Sequence, residues 1–401
     1  MRIDQAIASE LRDSRGTPTI EVTLRSGDLS VRASVPSGKS TGAKEAHEKR
    51  DQDGKGVNDA IRGLRESIFP RLEGERFAFP NDIDHLLLSV DGTPDKSHLG
   101  ANAMLAVSVA GTKLAAALSG LPLWKFIGTH SGATPALPRL YMNVLNGGAH
   151  AQFHSPFQEY IIVAGGSETL AHSYEAAVRA FWKLGDVVKR EVGDVPLGDE
   201  GGYAPMCDTL DLPFKMIREV IDGQGDLALA IDAAASEIFL DGFYTFGKES
   251  YDRNELLALY QGLVQKFNLV SIEDPFAEDD VQGFQEITRL LGKDILIVGD
   301  DLTATNPNIV SAMTDTRAAN AMIVKPNQIG TLLEVYRAAG IAKNAGWELI
   351  ASHRSGETED SFIADLAVGL GCYGVKAGAP TQKERVAKYD RLIEIEKEFL
   401  Y

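Results

Sequence analysis

The sequence predicts an α/β protein, with a C-terminal (β/α)8 TIM-like barrel preceded by a smaller N-terminal α+β domain. Two observations carry the barrel. From Tyr141 onward, short apolar runs (LALAID, LVSIED, ILIVGDD, AMIVK, WELIASHR, YGVKAG) alternate with amphipathic stretches such as ELLALYQGLVQKF and TLLEVYRAAGIAKNAG. Repeated strand–helix units imply a parallel sheet. The residues that close the runs are Asp232, Glu273, Asp300, Lys325, His353 and Lys376, separated by 41, 27, 25, 28 and 23 positions. A closed barrel of ~250 residues needs about 31 per unit.

The N-terminal part has a different pattern. Residues 18–35 form two alternating segments around Ser26-Gly27-Asp28, a hairpin signal. Helical periodicity follows over 56–73 and 101–127. GTHSGATPALP (128–138) reads as a linker, which divides the chain into 1–127 and 128–401. From Ser34 to Glu45 the chain reads SVPSGKSTGAKE. Gly38-Lys39-Ser40 looks like the end of a nucleotide-binding P-loop, but the first glycine of that motif would fall on Ala33. A P-loop needs G-x-x-x-x-G-K-[ST] between a strand and a helix. The stretch therefore reads as a Gly/Ser turn, or as a mobile flap over 36–43 whose hydroxyls help hold a ligand.

Composition narrows the classes. Of 401 residues, 44% are apolar and 24% charged, and 40 Lys+Arg stand against 57 Asp+Glu, a net charge of −17. Such a surface repels phosphate backbones, which argues against general nucleic-acid binding. A small anionic substrate needs local positive charge from side chains or metal ions. Cys207 and Cys372 are the only cysteines, which suggests a reduced cytoplasmic setting without a disulfide framework. The N-terminus MRIDQAIASELRDSRG has no apolar signal core. The longest apolar stretch, ANAMLAVSVAGTKLAAALSGLPLW, carries Lys113 near its middle. A central lysine costs about 2.5–3.5 kcal/mol in lipid, so a buried helix is expected and no membrane span.

In a barrel of this kind the C-terminal strand ends converge on one mouth, where catalysis occurs. NVLNGGAH and FQEYIIVAG read as further strands that bring His150, Gln158 and Glu159 to that rim. Asp232, Glu273 and Asp300 are carboxylates from neighbouring strand ends. Unpaired, they repel one another and push at least one pKa upward. Mg²⁺ resolves the conflict, since it prefers oxygen ligands and bridges to substrate oxygens; the alternative is that each carboxylate caps the helix after it. Lys325 reads either as an ion-pair partner of these acids or as a general base whose proton affinity neighbouring cations lower. Lys376 and Arg354 suit an anionic substrate. Glu200, in the Gly-flanked LGDEGGYAP, is a candidate general acid or a turn carboxylate.

DSRGTPTIEV, PSGKSTG, NGGAHA, QEY, LGDEGGYAP, SIEDPFAEDD, GDDLTATNP, KPNQIGTL, SHRSGETED and RVAKYD occur in this order. By these motifs the chain resembles the enolase (phosphopyruvate hydratase) family over nearly its whole length. The resemblance implies an enolase-type barrel and a Mg²⁺-dependent hydro-lyase that interconverts 2-phosphoglycerate and phosphoenolpyruvate. Asp232, Glu273 and Asp300 then look like the ligands of a first, conformational Mg²⁺. Ser40 matches the flap serine at a second, catalytic Mg²⁺ and at the substrate. Lys325 matches the base that removes the α-proton. Glu200 matches the acid that helps hydroxide leave, with Glu159 beside it. His150, Arg354, Ser355 and Lys376 match positions around the phosphate and carboxylate, and Gln158 belongs to the same wall. His353 is expected near the leaving hydroxyl or the phosphate, so that Glu159, His353 and Lys376 count among the catalytic positions. A homodimer or dimer-based octamer, in the cytoplasm and in glycolysis, is also implied, and GKST becomes part of a metal-closing lid.

The chain departs from the family pattern in places. Lys39 stands where alanine is usual, QFHSPF (with Phe153, His154 and Phe157) replaces small polar residues, Thr17 replaces asparagine, and Ala377 stands in a K-T-G motif. Lys39 and His154 would add positive charge to the closed site, and Phe153 and Phe157 would reshape its wall. An alternative expectation is thus an enolase paralogue acting on a modified phosphoglycerate-like compound in phosphonate or phosphinate biosynthesis, as carboxyphosphonoenolpyruvate synthase does. A non-catalytic binding protein on the same scaffold is the alternative from another class; the full set of acid, base and metal positions argues against it.

Overall fold

The N-terminal segment opens with a three-stranded antiparallel meander, β1 (Gln5–Arg12), β2 (Pro18–Ser26) and β3 (Leu29–Ser34). In β2 the alternating Ile20, Val22 and Leu24 are fully buried. The sequence reading has the β2–β3 hairpin but not β1. The inward residues of β1 are only Ala6 and Ala8, while Ile7 faces out, so its alternation carries little hydrophobic contrast. Helices follow: α1 (Asn58–Gly63), a π-helical turn over Leu64–Ile68, α2 (Phe69–Leu72), α3 (Pro80–Asp91), α4 (Ala101–Ser119) and α5 (Leu123–Ser131). The helix expected over 101–127 is two helices. Gly120 adopts φ 65° at the end of α4, and Pro122 precedes α5.

Helix α4 is long and apolar enough to cross a membrane, but 83% of its most apolar window is buried inside the protein. It is a core helix packed on β2 and β3. Its Lys113 Nζ leaves the apolar face to meet Asp360 at 2.7 Å and the Arg32 carbonyl at 2.9 Å. The described residues are 1–39, 42–148, 155–166, 168–207, 209–246 and 249–400 of this computed structural model.

Eight strands close the predicted barrel: β4 (Arg139–Asn146), β5 (Glu159–Ala164), β6 (Leu227–Asp232), β10 (Leu269–Glu273), β11 (Leu296–Gly299), β12 (Ala321–Val324), β13 (Glu348–Ser352) and β14 (Gly374–Lys376). Between β6 and β10 a small meander is inserted, β7 (Phe239–Leu240), β8 (Phe243–Phe246) and β9 (Glu249–Tyr251). Tyr141, Ile161, Val163, Ala230, Val298, Ala321, Ile323 and Ile350 form a separate cluster that fills the barrel. This is a packed core and not a pore.

The barrel is not wholly parallel. Strand β5 runs antiparallel to both β4 and β6. Its link from β4 spans residues 147–158, at the lower bound for a parallel return, which needs a crossover of a dozen or more residues, usually with a helix. The reversal matters for the site. It sets Glu159, the first residue of β5, opposite Asp232, the last residue of β6.

Helices α6 (Leu170–Val192), α7 (Leu212–Ile221), α8 (Arg253–Phe267), α9 (Val281–Leu291), α10 (Pro307–Thr316), α11 (Leu332–Asn344), α12 (Phe362–Gly369) and α13 (Lys383–Leu400) complete the chain. The start of α8 shows why these helices begin where they do. Asp252 and Glu255 each accept the other's backbone N–H at 2.9 Å, a reciprocal cap that satisfies two unpaired donors.

Asp84 of α3 joins the N-terminal helices to the barrel. Its Oδ2 accepts the Leu333 N–H at 2.8 Å, in the first turn of α11. Burial raises its pKa to about 7, although bonds from Ser108 and Leu333 favour the anion. Between pH 4 and 7 the folded state therefore holds a proton that the unfolded state has lost, and stability falls as pH rises. Asp84→Asn should remove this loss. The stability difference between the variant and wild type should shift in the variant's favour by roughly 1–4 kcal/mol from pH 4 to pH 7, measured by urea unfolding at each pH. A pH-independent difference would contradict the buried-proton assignment.

Candidate active site

The barrel mouth is built from strand ends. Asp232 pairs in register with Glu159 on one side and with Glu273 on the other, so three carboxylates stand side by side on β5, β6 and β10. One cation meets them all. Lys376, the last residue of β14, places Nζ 3.1 Å from Asp232 Oδ2, 2.9 Å from Glu273 Oε2 and 3.1 Å from Glu159 Oε2. Strand β14 lies four places from β10 in the ring of eight, so the lysine stem crosses the mouth. Burial disfavours its charge, but Glu159, Glu273 and Asp232 together outweigh burial and raise its pKa well above the ordinary lysine value.

Asp300 follows β11. Its Oδ2 contacts Lys325 Nζ, and its Oδ1 accepts from Gln328 Nε2 at 2.9 Å. Thr305 links the two partners, since its hydroxyl donates to Gln328 Oε1 at 2.8 Å and accepts the Lys325 N–H at 3.0 Å. Burial opposes the Asp300 charge, but Lys325 overrides it and holds the carboxyl below its usual range. Burial likewise works against the Lys325 ammonium, and the Asp300 charge overrides that, raising its pKa. The expectation of a lowered lysine is thus not met among protein atoms alone. The cause is the ion pair, and the Arg354 and Lys376 charges already push the other way.

Two acids escaped the sequence reading. Asp274 accepts the backbone N–H of Asp300 at 2.9 Å and of Asp301 at 2.8 Å. It thereby fixes the turn that aims both side chains, and it does so from φ 40°, a region that aspartate tolerates better than most residues. Ligand oxygens of Asp274, Asp300 and Asp301 lie within 4.8 Å of one another. Burial, then the Asp301 and Asp300 charges, raises Asp274 well above the carboxylate range; burial and Asp300 push Asp301 to about 7. Burial and Asp232 raise Glu273, and burial and Glu200 raise Glu159. The doubled acids in SIEDPF and GDDL were the available signal.

The cavity is lined by eight carboxylates against four Lys and Arg side chains. Lysine ammonium groups already stand where these oxygens converge, and several carboxyls remain too buried to ionise easily. A donor set of hard carboxylate oxygens around a point of unmet positive charge fits a hard divalent cation such as Mg²⁺. Asp274, Asp300 and Asp301 bring their oxygens together in this way, with Asp232 and Glu273 on the neighbouring strands.

The other wall carries Glu200, His353, Arg354, Ser355 and Gln158. Glu200 Oε2 accepts from Asn143 Nδ2 at 2.9 Å and lies 3.3 Å from His353 Nε2. Its loop needs Gly201, at φ 82°, where a Cβ would sit 2.1 Å from Thr381 Oγ1. Burial lowers the His353 pKa to about 4; the Glu200 charge resists this and the Arg385 charge adds to it. The Arg354 guanidinium is engaged by Glu45 at 2.9 Å and Asn327 at 3.2 Å. Glu45, Asn143, Gln328 and Arg385 were not singled out in the sequence, because nothing local marks residues that act through tertiary contacts.

The flap positions are partly covered. Ser40, His150, Phe153 and His154 lie outside the described residues. The flap's flanks are tied across the mouth. Ser37 and Gly356 exchange backbone bonds at 2.8 and 3.0 Å, Lys39 Nζ meets Asp199 at 2.7 Å, and Lys44 Nζ meets the Glu278 carbonyl at 2.6 Å. Lys39 lines the cavity, with its half-exposed ammonium paired to Asp199. One expectation is corrected here. Phe157 is no cavity wall; it is fully buried among Tyr160, Phe214, Phe246 and Tyr260.

A barrel with one reversed strand and an acid-lined mouth holding buried lysines has the make-up of a barrel enzyme. Comparison with known proteins narrows it. Residues 3–127 match the family description "Enolase, N-terminal domain", and residues 134–400 match "Enolase, C-terminal TIM barrel domain". The chain is similar to the enolase of Methanopyrus kandleri, 46% identical over 99% of this chain and 96% of that protein. It is also similar to the enolase of Thermococcus gammatolerans, at 44% identity over 99% and 95%. The chain belongs to the enolase family.

Mg²⁺ should bind and stabilise the fold, by about 2.7 kcal/mol at a hundredfold excess over Kd. Asp300→Asn should weaken that binding at least roughly tenfold by isothermal calorimetry. Unchanged affinity would remove Asp300 from the ligand set.

Proposed function

We propose that this protein is a phosphopyruvate hydratase, a carbon–oxygen lyase that reversibly dehydrates 2-phosphoglycerate to phosphoenolpyruvate. The observation that carries the reading is a single cavity holding a base candidate and a separate acid, in a chain of the enolase family. Lys325 sits against Asp300, and Glu200 sits against Asn143 and His353.

Lys325 takes the proton from C2 of the substrate. The electron pair left on C2 moves into the carboxylate as an ene-diolate, then returns to form the C2–C3 double bond as hydroxide leaves C3. Glu200, protonated, gives that hydroxide its proton, so the products are phosphoenolpyruvate and water. Mg²⁺, when bound, supplies positive charge against the substrate carboxylate as its negative charge grows. A lysine base paired with Mg²⁺ is the known arrangement in enolase-superfamily sites, so this pairing is inherited from the family. Lys325 must be neutral to act. Arg354 and Lys376 disfavour its ammonium form, and Asp300 is the group that must slacken its hold.

Asp232, Glu273 and Asp300 would hold one of two Mg²⁺ ions per site, and the Ser40 segment would contribute to the second. Lys376, Arg354, Ser355, His150 and Gln158 would surround the anionic ends of the substrate. The reading extends to a dimer or dimer-based octamer, a cytoplasmic location, a place in glycolysis, and a division into two domains near 128–138. Neither relative supports a specialised phosphonate substrate, and the burial of Phe157 removes one of its grounds.

Purified protein should produce phosphoenolpyruvate from 2-phosphoglycerate only with a divalent cation, followed by product absorbance. Lys325→Ala should lose both turnover and exchange of the C2 proton with solvent, while Glu200→Gln should lose elimination by about 10²–10⁴-fold and retain exchange. Retained exchange in Lys325→Ala, or equal losses in Glu200→Gln, would contradict the two roles.

A further inference from the structure

We propose that Arg385 is a positioning residue that fixes the ring tautomer of His353, so that the imidazole meets Glu200 as a neutral Nε2–H donor. The catalytic consequence rests on the function proposed above, while the tautomer itself does not.

Arg385 lies in the first turn of α13 and is completely buried. Its Nη1 contacts His353 Nδ1 and donates to the Arg354 carbonyl at 2.6 Å. Its Nη2 donates to the Ser355 carbonyl at 2.8 Å, and Nε to Gln382 Oε1 at 3.2 Å. A guanidinium carries five donors and no acceptor, and it stays charged in proteins. A neutral imidazole has one N–H and one bare nitrogen. The nitrogen facing a pure donor must be the bare one. The proton therefore sits on Nε2, which stands 3.3 Å from Glu200 Oε2.

The other protonation states fail on the same geometry. A proton on Nδ1 would face the guanidinium hydrogens, donor against donor. A doubly protonated ring would set one buried cation against another. With Arg385 in place, the Nε2–H faces Glu200 Oε2 across 3.3 Å without yet forming a well-aligned hydrogen bond, while the same oxygen accepts from Asn143 Nδ2 at 2.9 Å.

Helix α13 also has a plain structural role. Lys388 pairs with Glu357 at 2.9 Å, and the Tyr389 hydroxyl donates to the Gly378 carbonyl at 2.7 Å. The test must separate the two. Long-range ¹H–¹⁵N correlation spectra of labelled wild type at pH 7, with His353 assigned by its loss in His353→Asn, should show a bare Nδ1 and a protonated Nε2. Arg385→Gln offers an acceptor to Nδ1–H and should give a mixed or reversed pattern. Its kcat should fall about 10²–10³-fold with KM changed less than about threefold. Arg385→Lys keeps a pure donor and should restore both the pattern and most of kcat.

The proposal is overturned if wild-type His353 carries its proton on Nδ1, or carries two. It is also overturned if Arg385→Gln keeps both pattern and kcat, or if Arg385→Lys loses as much activity as Arg385→Gln with the tautomer unchanged. If Arg385→Gln does not fold, the wild-type spectrum decides. Should the spectrum hold while wild type fails to turn over 2-phosphoglycerate, the functional reading falls and the tautomer stands.

Discussion

One ammonium group buried among three carboxylates sets the terms for the barrel mouth. Taking an ion out of water costs several kcal/mol even after relaxation, and only close, well-oriented partners offset it. Lys376 has such partners because the sheet register supplies them. Glu159, Asp232 and Glu273 stand on three adjacent strands, and the lysine reaches them from the far side of the ring. The reversed β5 is essential to this. In a fully parallel barrel the first residue of that strand would lie at the opposite end, and Glu159 would be lost to the mouth.

The pairing is also incomplete, and that incompleteness is where chemistry enters. Three lysines and Arg354 face more carboxylates than they can neutralise. Several of those acids are held above their normal range by burial and by one another. Positive charge added near Asp232, Glu273 and Asp300 would weaken the hold of Asp300 on Lys325 and of the acid triad on Lys376. The same change that satisfies the acids would lower the proton affinity of the lysines they hold. Glu200 stands at the edge of this cluster, where its charge raises Glu159, and it has Asn143 and His353 as further neighbours.

Much of this was legible in the chain. Each barrel strand from β6 onward is a short apolar run closed by an ionisable residue, so both the barrel and the composition of its rim follow from spacing. Strand direction was not legible, because an apolar run of six residues reads the same either way. β1 was hidden by its inward alanines. Asp274 and Asp301 were passed over because each neighbours a better-placed acid; their roles come from backbone bonds and mutual distance. Phe157 looked like a site residue because it sits beside a flap in sequence; its partners, an aromatic cluster, are brought by the fold. Arg385 lay within a recognised motif, yet its contact with His353 spans 32 positions and cannot be seen without the fold.

The most direct test is calorimetry of Mg²⁺ binding at pH 7 in buffers of different ionisation enthalpy, which counts protons released. If buried acids and an ion-paired lysine share the protons that a cation displaces, binding should release roughly one proton per site. Tight binding with no proton release would contradict the linkage between cation and lysine, and no binding at all would remove the cation site itself.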